Sequence, residues 1–221
     1  METKVKAKTK NFFSRVYFWM FLGLILSAVF AMLVSSSELL MSVVASPLIF
    51  VFIIAELVLV IVLSARLQKI SLSTAKTLFI IYSILNGITI SVILLVYTSI
   101  SVVSVFFIAA IMFGALGVLG FVTKKDLSAM GKFLFMALIG LILAMIVNMF
   151  WKNSGFDLLI SVIGILIFAG LTAYDHQWLK KISLSLQGKQ IEKFAIIGAL
   201  KLYLDFINMF LLLLRIFGKR R

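Results

Sequence analysis

Seven runs of roughly twenty apolar residues, each closed by lysine, arginine or a short polar loop, constrain this chain more than any other feature. They cover residues 16–34, 44–65, 77–98, 102–122, 133–151, 158–174 and 198–217. A helix rises about 1.5 Å per residue, so such a run matches the ~30 Å hydrocarbon core of a bilayer. No water is present there to bond a peptide group, and only structures that satisfy their own backbone can cross. The pattern therefore predicts an all-α integral membrane protein: a seven-transmembrane-helix bundle in a single membrane domain over 1–221, with residues 1–15 as a basic tail. Only 13% of the 221 residues are charged, about half the share of a soluble domain. The first run, at 19 residues, exceeds the roughly 7–15 of a cleaved signal segment and is read as a retained helix.

A net charge of +13 would suggest nucleic acid in a soluble protein. Here the basic residues sit in small groups between apolar runs, so the bilayer is the partner and nucleic acid is not. Fifteen of the 21 lysines and arginines fall on one side. They are Lys4, Lys6, Lys8, Lys10 and Arg15 in the tail, Arg66, Lys69 and Lys76 after the second run, Lys124, Lys125 and Lys132 after the fourth, and Lys180, Lys181, Lys189 and Lys193 after the sixth. The opposite loops carry Lys152 alone. By the positive-inside rule the N-terminus is cytoplasmic. Arg215, Lys219, Arg220 and Arg221 then pose a conflict. Either the last segment is re-entrant and this tail stays inside, or the other loops outvote it. There is no cysteine, one histidine, and no GxSxG, HExxH or Gly-rich phosphate loop, which argues against an enzyme and against a bound cofactor.

The last run carries charge where a membrane helix can least tolerate it. Lys201 and Asp205 each oppose insertion by about 2.5–3.5 kcal/mol, and fifteen Leu, Ile and Phe between 194 and 217 favour it by about 0.3–0.6 each. These nearly cancel, so this helix belongs inside the bundle. At about 100° per residue, Lys201, Asp205, Asn208, Leu212 and Arg215 share an arc of roughly 80°. Such a stripe lines a cavity or meets polar groups on a neighbour. The plainer alternative is a structural pair between Lys201 and Asp205 at i and i+4. Two other carboxylates lie in or beside spans: Glu56 in the second and Asp175 at the end of the sixth. By position alone Asp175 reads equally as a solvated interfacial residue, and Arg66 as an ordinary basic anchor.

The segments "ELVLVIVLSAR", "YSILNGITIS", "KKDLSAMGKF", "AYDHQWLKKI" and "GALKLYLDFINMFLLLLRIFG" together resemble the Bax inhibitor family (transmembrane Bax inhibitor motif proteins), particularly its bacterial members. They run in family order from about Glu56 to Gly218. The resemblance implies a last helix that is central and wrapped by the other six, in the bacterial cytoplasmic (inner) membrane. It also implies a pH-sensitive calcium leak whose sensor is the aspartate pair Asp175 and Asp205, with Arg66 as the latch of the closed state and Glu56 as the acidic residue of the second helix.

Two carboxylates about 3 Å apart in a dry site tend to share one proton, and their titration belongs to the pair. Losing that proton leaves two like charges that loosen the contact between the last two helices. Glu56 with Asn86, Asn208 and backbone carbonyls would make at most a weak Ca²⁺ site, which suits a leak. Lys201, one turn before Asp205, favours the ionised pair and modulates the sensor. His176 is a rival sensor, although its setting in "DHQW" reads as an exposed bystander. Two further roles stay open: an interaction protein that modulates a membrane AAA protease or a stress response, and a proton-coupled cation exchanger.

Overall fold

The computed structural model describes residues 2–66 and 69–221, with side chains from residue 6 onward. Met1 and the Lys4 side chain of the basic tail lie outside the described residues. The helices are α1 (Glu2–Ser35), α2 (Glu38–Val44), α3 (Ile49–Arg66), α4 (Leu72–Ile90), α5 (Ile93–Val96), α6 (Ser99–Val122), α7 (Ser128–Trp151), α8 (Ser154–Ser185) and α9 (Lys189–Phe217). Among the described residues seven helical stretches are long and apolar enough to span a bilayer, with α4 and α5 forming one of them. The all-α membrane class is thereby met.

Hydropathy places the spans but misjudges their ends. The basic residues before 16 continue α1 as helix, α8 runs to Ser185 rather than stopping at 174, and α9 begins at Lys189 rather than at 198. The apolar signal stops where charges begin, whereas the hydrogen-bond ladder continues into the polar interface. Local chemistry sets the true ends. Ser71 caps α4 by accepting from the Thr74 N–H at 3.0 Å. Ser91 donates to the Ile88 carbonyl at 2.6 Å in the break between α4 and α5, where a hydroxyl competes with the backbone. Gly188 turns the chain from α8 into α9 at φ +52, a conformation that costs glycine little.

Burial separates lipid-facing spans from inner ones. Only 6% of the most apolar window of α3, and of α7, is buried, against 56% for α8 and 78% for α9. A helix bearing Lys201 and Asp205 is thus the one most withdrawn from lipid, as its insertion free energy demands.

By packing, the chain forms two compact units. The first comprises the chain up to Thr98, Ser183–Tyr203 and Arg220–Arg221; the second comprises Ser99–Ile182 and Leu204–Lys219. In the first, α1 lies so close to α4 that a Cβ on Gly87 would sit 2.6 Å from the Ser27 carbonyl oxygen. The N-terminal end of α1 is tied down by Lys8 to the Leu184 carbonyl (2.8 Å), Thr9 to Ser183 (3.1 Å) and Arg15 to Glu192 (2.6 Å). In the second, α6 meets α8 at Gly120, where a Cβ would fall 2.1 Å from the Ala173 carbonyl oxygen. Small residues at such crossings let membrane helices gain close packing that lipid cannot supply.

The bonds of the C-terminal tail favour a full crossing of the last segment over a re-entrant one. In the first unit the Arg221 N–H donates to the Val96 carbonyl at 2.9 Å and Arg220 bridges to Tyr97. In the second the Lys219 N–H donates to the Ser101 hydroxyl at 2.8 Å. These partners lie in the turn between the third and fourth spans, away from the basic loops. With 29 residues, α9 is a continuous helix long and apolar enough to cross fully.

Because the chain has no native cysteine, single-cysteine labelling reads this topology directly. Lys219→Cys and Lys152→Cys are expected to react with an impermeant maleimide from outside, and Lys125→Cys only after permeabilisation. Gly120→Ala is expected to destabilise the protein by about 1–3 kcal/mol through overpacking, measured by unfolding in mixed micelles. Gly114→Ala, whose Cβ meets nothing within 4 Å, is expected to be near neutral.

Candidate functional site

Within the second unit α8 and α9 run antiparallel in a definite register. Arg215 donates to Asp157 at 2.9 Å, a Cβ on Gly164 would meet Leu212 Cδ1 at 2.7 Å, and the Phe113 ring of α6 packs edge-on against both His176 (5.5 Å) and Phe206 (5.6 Å). In each α8–α9 pairing the two residue numbers sum to nearly the same value, and Asp175 with Asp205 fits that series. The two aspartates therefore occupy one level on neighbouring helices. Both are buried, at 3% and 4% exposure. Asp175 is thus no solvated interfacial residue: α8 continues ten residues past it.

Its neighbours in the "AYDHQWLKKI" segment are equally far from their expected setting. His176 is not an exposed bystander. It is 1% exposed, with Nδ1 at 2.7 Å from the Thr172 carbonyl, and only a glycine at 117 leaves room for its ring, since a Cβ there would come within 2.7 Å of Nε2. Gln177, which sequence reasoning passed over, clamps the α6–α7 loop: its amide donates to the Lys125 carbonyl at 2.7 Å and its oxygen accepts from the Leu127 N–H at 2.9 Å. Lys180 donates to the Phe121 carbonyl at 2.7 Å, and Lys181 pairs with Asp126 at 2.6 Å. Asp126 is fully exposed, and donors from Lys181 first and Ser128 second hold its carboxyl down at about 2. A depressed carboxylate contributes stability above its ordinary value and loses it only as pH falls towards 2. This loop is therefore silent in the neutral range.

A second polar constellation lies in the first unit, around Glu56. The carboxylate sits on α3, otherwise lipid-facing. Its Oε2 accepts from Asn86 Nδ2 at 3.1 Å, and its Oε1 accepts from the Thr89 hydroxyl. Tyr203 of α9, fully buried, donates to Asn86 Oδ1 at 2.7 Å, and Ser27 of α1 stands 2.6 Å from the Tyr203 hydroxyl. A side-chain amide facing a carboxylate must present nitrogen, which leaves its oxygen for Tyr203. Tyr203, having one hydrogen, gives it to Asn86, and the Ser27 hydroxyl beside it also lies 2.7 Å from the Ser83 carbonyl and 3.0 Å from that of Gly23. Residues of four helices are thereby gathered here: Ser27 of α1, Glu56 of α3, Asn86 and Thr89 of α4, and Tyr203 of α9.

Sequence reasoning found Glu56 and Asn86 but grouped them with Asn208 as oxygen ligands. Asn86 turns its nitrogen to the carboxylate instead. Asn208 donates to the Leu204 carbonyl of its own helix at 2.8 Å and belongs to the second unit. Tyr203, Ser27 and Thr89 gave no signal, since a tyrosine or hydroxyl inside an apolar run looks like packing. Among the described residues no group of three or more His, Asp or Glu side chains gathers as a metal site. Arg66 ends α3 and is exposed. Lys201 precedes Asp205 by one turn on α9 and is half-buried. Of the polar stripe on that helix, Arg215 does meet a polar group on its neighbour, Asp157.

The sequence model of the family described as "Inhibitor of apoptosis-promoting Bax1" matches residues 9–221. The inner membrane protein YbhL of Escherichia coli K12 is 45% identical over 221 residues, covering 98% of this chain and 94% of its own. A protein of Deinococcus radiodurans is 46% identical, covering 99% and 95%. YrjE of Lactococcus lactis is 40% identical, covering 94% and 90%.

Removing one link of the Glu56 network tests it. Tyr203→Phe leaves the Asn86 oxygen buried without its donor, and a loss of about 1–3 kcal/mol is expected in reversible unfolding. Ser104→Ala deletes only an exposed bond to Ile100 on its own helix and is expected to change stability by less than about 0.5 kcal/mol.

Proposed function

The chain belongs to the Bax inhibitor family, and from that premise we propose that it is a pH-sensitive calcium leak of the inner membrane, gated by a proton shared between Asp175 and Asp205. The observation that supports this reading is the burial of two aspartates at one level on α8 and α9.

Taking a carboxylate out of water penalises its charged form, and a second carboxylate nearby penalises it further. A pair holding one proton has charge −1 and is tied by a short hydrogen bond. Deprotonation takes it to −2, and repulsion acts across the α8–α9 seam. Gln177 and Lys181 fasten the α6–α7 loop to α8, and Lys180 fastens the end of α6, so a displacement of α8 is carried to that loop. Arg66 offsets negative charge in the closed state and acts as the latch. Lys201 biases the pair towards ionisation. Protonation supplies the differential preference between states that any switch requires. Calcium is the cargo, and Glu56 offers the hard oxygen that such a cation prefers along its path.

The expected result is calcium flux in proteoliposomes that rises with pH, by at most about tenfold per pH unit as one proton allows. Asp205→Asn keeps a hydrogen bond to Asp175 while removing the second charge. Its flux is expected to stay at the low-pH level throughout. Equal, pH-independent flux from wild type and variant would sink the sensor.

A further inference from the structure

The two oxygens of Glu56 have unequal surroundings. Oε2 faces the Asn86 NH₂ group, which only donates. A proton placed on Oε2 would confront another hydrogen. Oε1 faces the Thr89 hydroxyl, which can donate or accept. Thr89 has a second acceptor within reach, the Leu85 carbonyl of its own helix at 2.7 Å. The carboxylate therefore has two complete hydrogen-bonded forms with the same heavy-atom positions. In one it is ionised and accepts from both Asn86 and Thr89. In the other Oε1 carries a proton and donates it to Thr89, whose own hydrogen has rotated to Leu85.

We infer that Glu56 is a proton-binding site in its own right, that the proton resides on Oε1, and that Thr89 is the positioning residue that receives its hydrogen bond. The step balances simply: carboxylate plus proton gives carboxylic acid, and one hydroxyl turns. The bonds from Tyr203 to Asn86 and from Asn86 to Glu56 keep their direction in both forms and pin Oε2 while Oε1 titrates. The titratable groups around Glu56 are Tyr82 on α4 and Tyr203 on α9. The cation that α9 carries nearest to Tyr203 is Lys201, two residues before it. On α1 the contact to the network is the uncharged Ser27.

An ionisable residue on a largely lipid-facing helix is costly and marks an ion or proton path by default. Here the surroundings are built for a group that changes charge rather than for one fixed in either state. The test keeps the titration of Glu56 apart from that of the aspartate pair.

Infrared difference spectra of the full-length protein in bilayers, recorded between alkaline and acidic pH, report carboxylic acid C=O stretches. Wild type is expected to gain a band on acidification that Glu56→Gln abolishes and Asp205→Asn retains. Thr89→Val removes the acceptor, so the band is expected to move to higher frequency. Thr89→Ser, which restores a hydroxyl, should return it, and this rescue separates the positioning role from a folding defect. A band that survives Glu56→Gln, or one that Thr89→Val leaves unmoved, would overturn the inference. Loss of the Asp205 titration alone would leave it standing.

Discussion

The hydrocarbon core of a bilayer holds no water, and the rest of this structure follows from that. Backbone groups must be satisfied within each span, which makes every span a helix. Polar side chains must be satisfied by other helices, which decides which spans go inside. The last helix carries Lys201, Asp205 and Asn208 among leucines and phenylalanines, and it is the most buried of the seven spans. The second carries Glu56 and stays at the lipid face, where it is tolerated because Asn86 and Thr89 bring donors to it and Tyr203 holds Asn86 in place.

Close approach of helices then converts packing into position. Glycines at 87 and 120 let α1 reach α4 and α6 reach α8 at distances no side chain would permit. Glycine at 117 makes room for the His176 ring, whose Nδ1 reaches the Thr172 carbonyl. Phe113 fills the corner between His176 and Phe206, and so fixes the level at which the two aspartates stand. Function in such a protein depends on residues with no chemistry of their own.

Much of this was legible in the chain itself. Runs of apolar residues gave the seven spans, and the balance of insertion energies marked the last helix as an inner one. Polar groups in or beside apolar runs drew attention to Glu56, Asn86, Asp175 and Asp205, and the family resemblance joined the two aspartates as a pair. What escaped was whatever depends on a partner far away in sequence. His176 looked exposed because the apolar run ended at 174, whereas α8 continues to Ser185. Tyr203 looked like packing because nothing near it in sequence names Asn86 or Ser27 as its partners. The bond from the Asn208 nitrogen to the carbonyl four residues back could not be read from spacing either, since an amide on a helix has that choice. The side of the C-terminal tail stayed open for a similar reason: its charges contradict a rule of thumb, and its partners Val96 and Ser101 lie far away in sequence.

The account centres on one shared proton between Asp175 and Asp205. Carbon-13 NMR of aspartate-labelled protein in bilayers follows both side-chain carboxyls through a pH titration and tests that claim most directly. Coupled carboxyls give resonances that move together through one step in the neutral range, and substitution of either residue by asparagine removes the step from the other. Two carboxyls that titrate independently, or that both stay ionised down to ordinary carboxylate acidity, would contradict it.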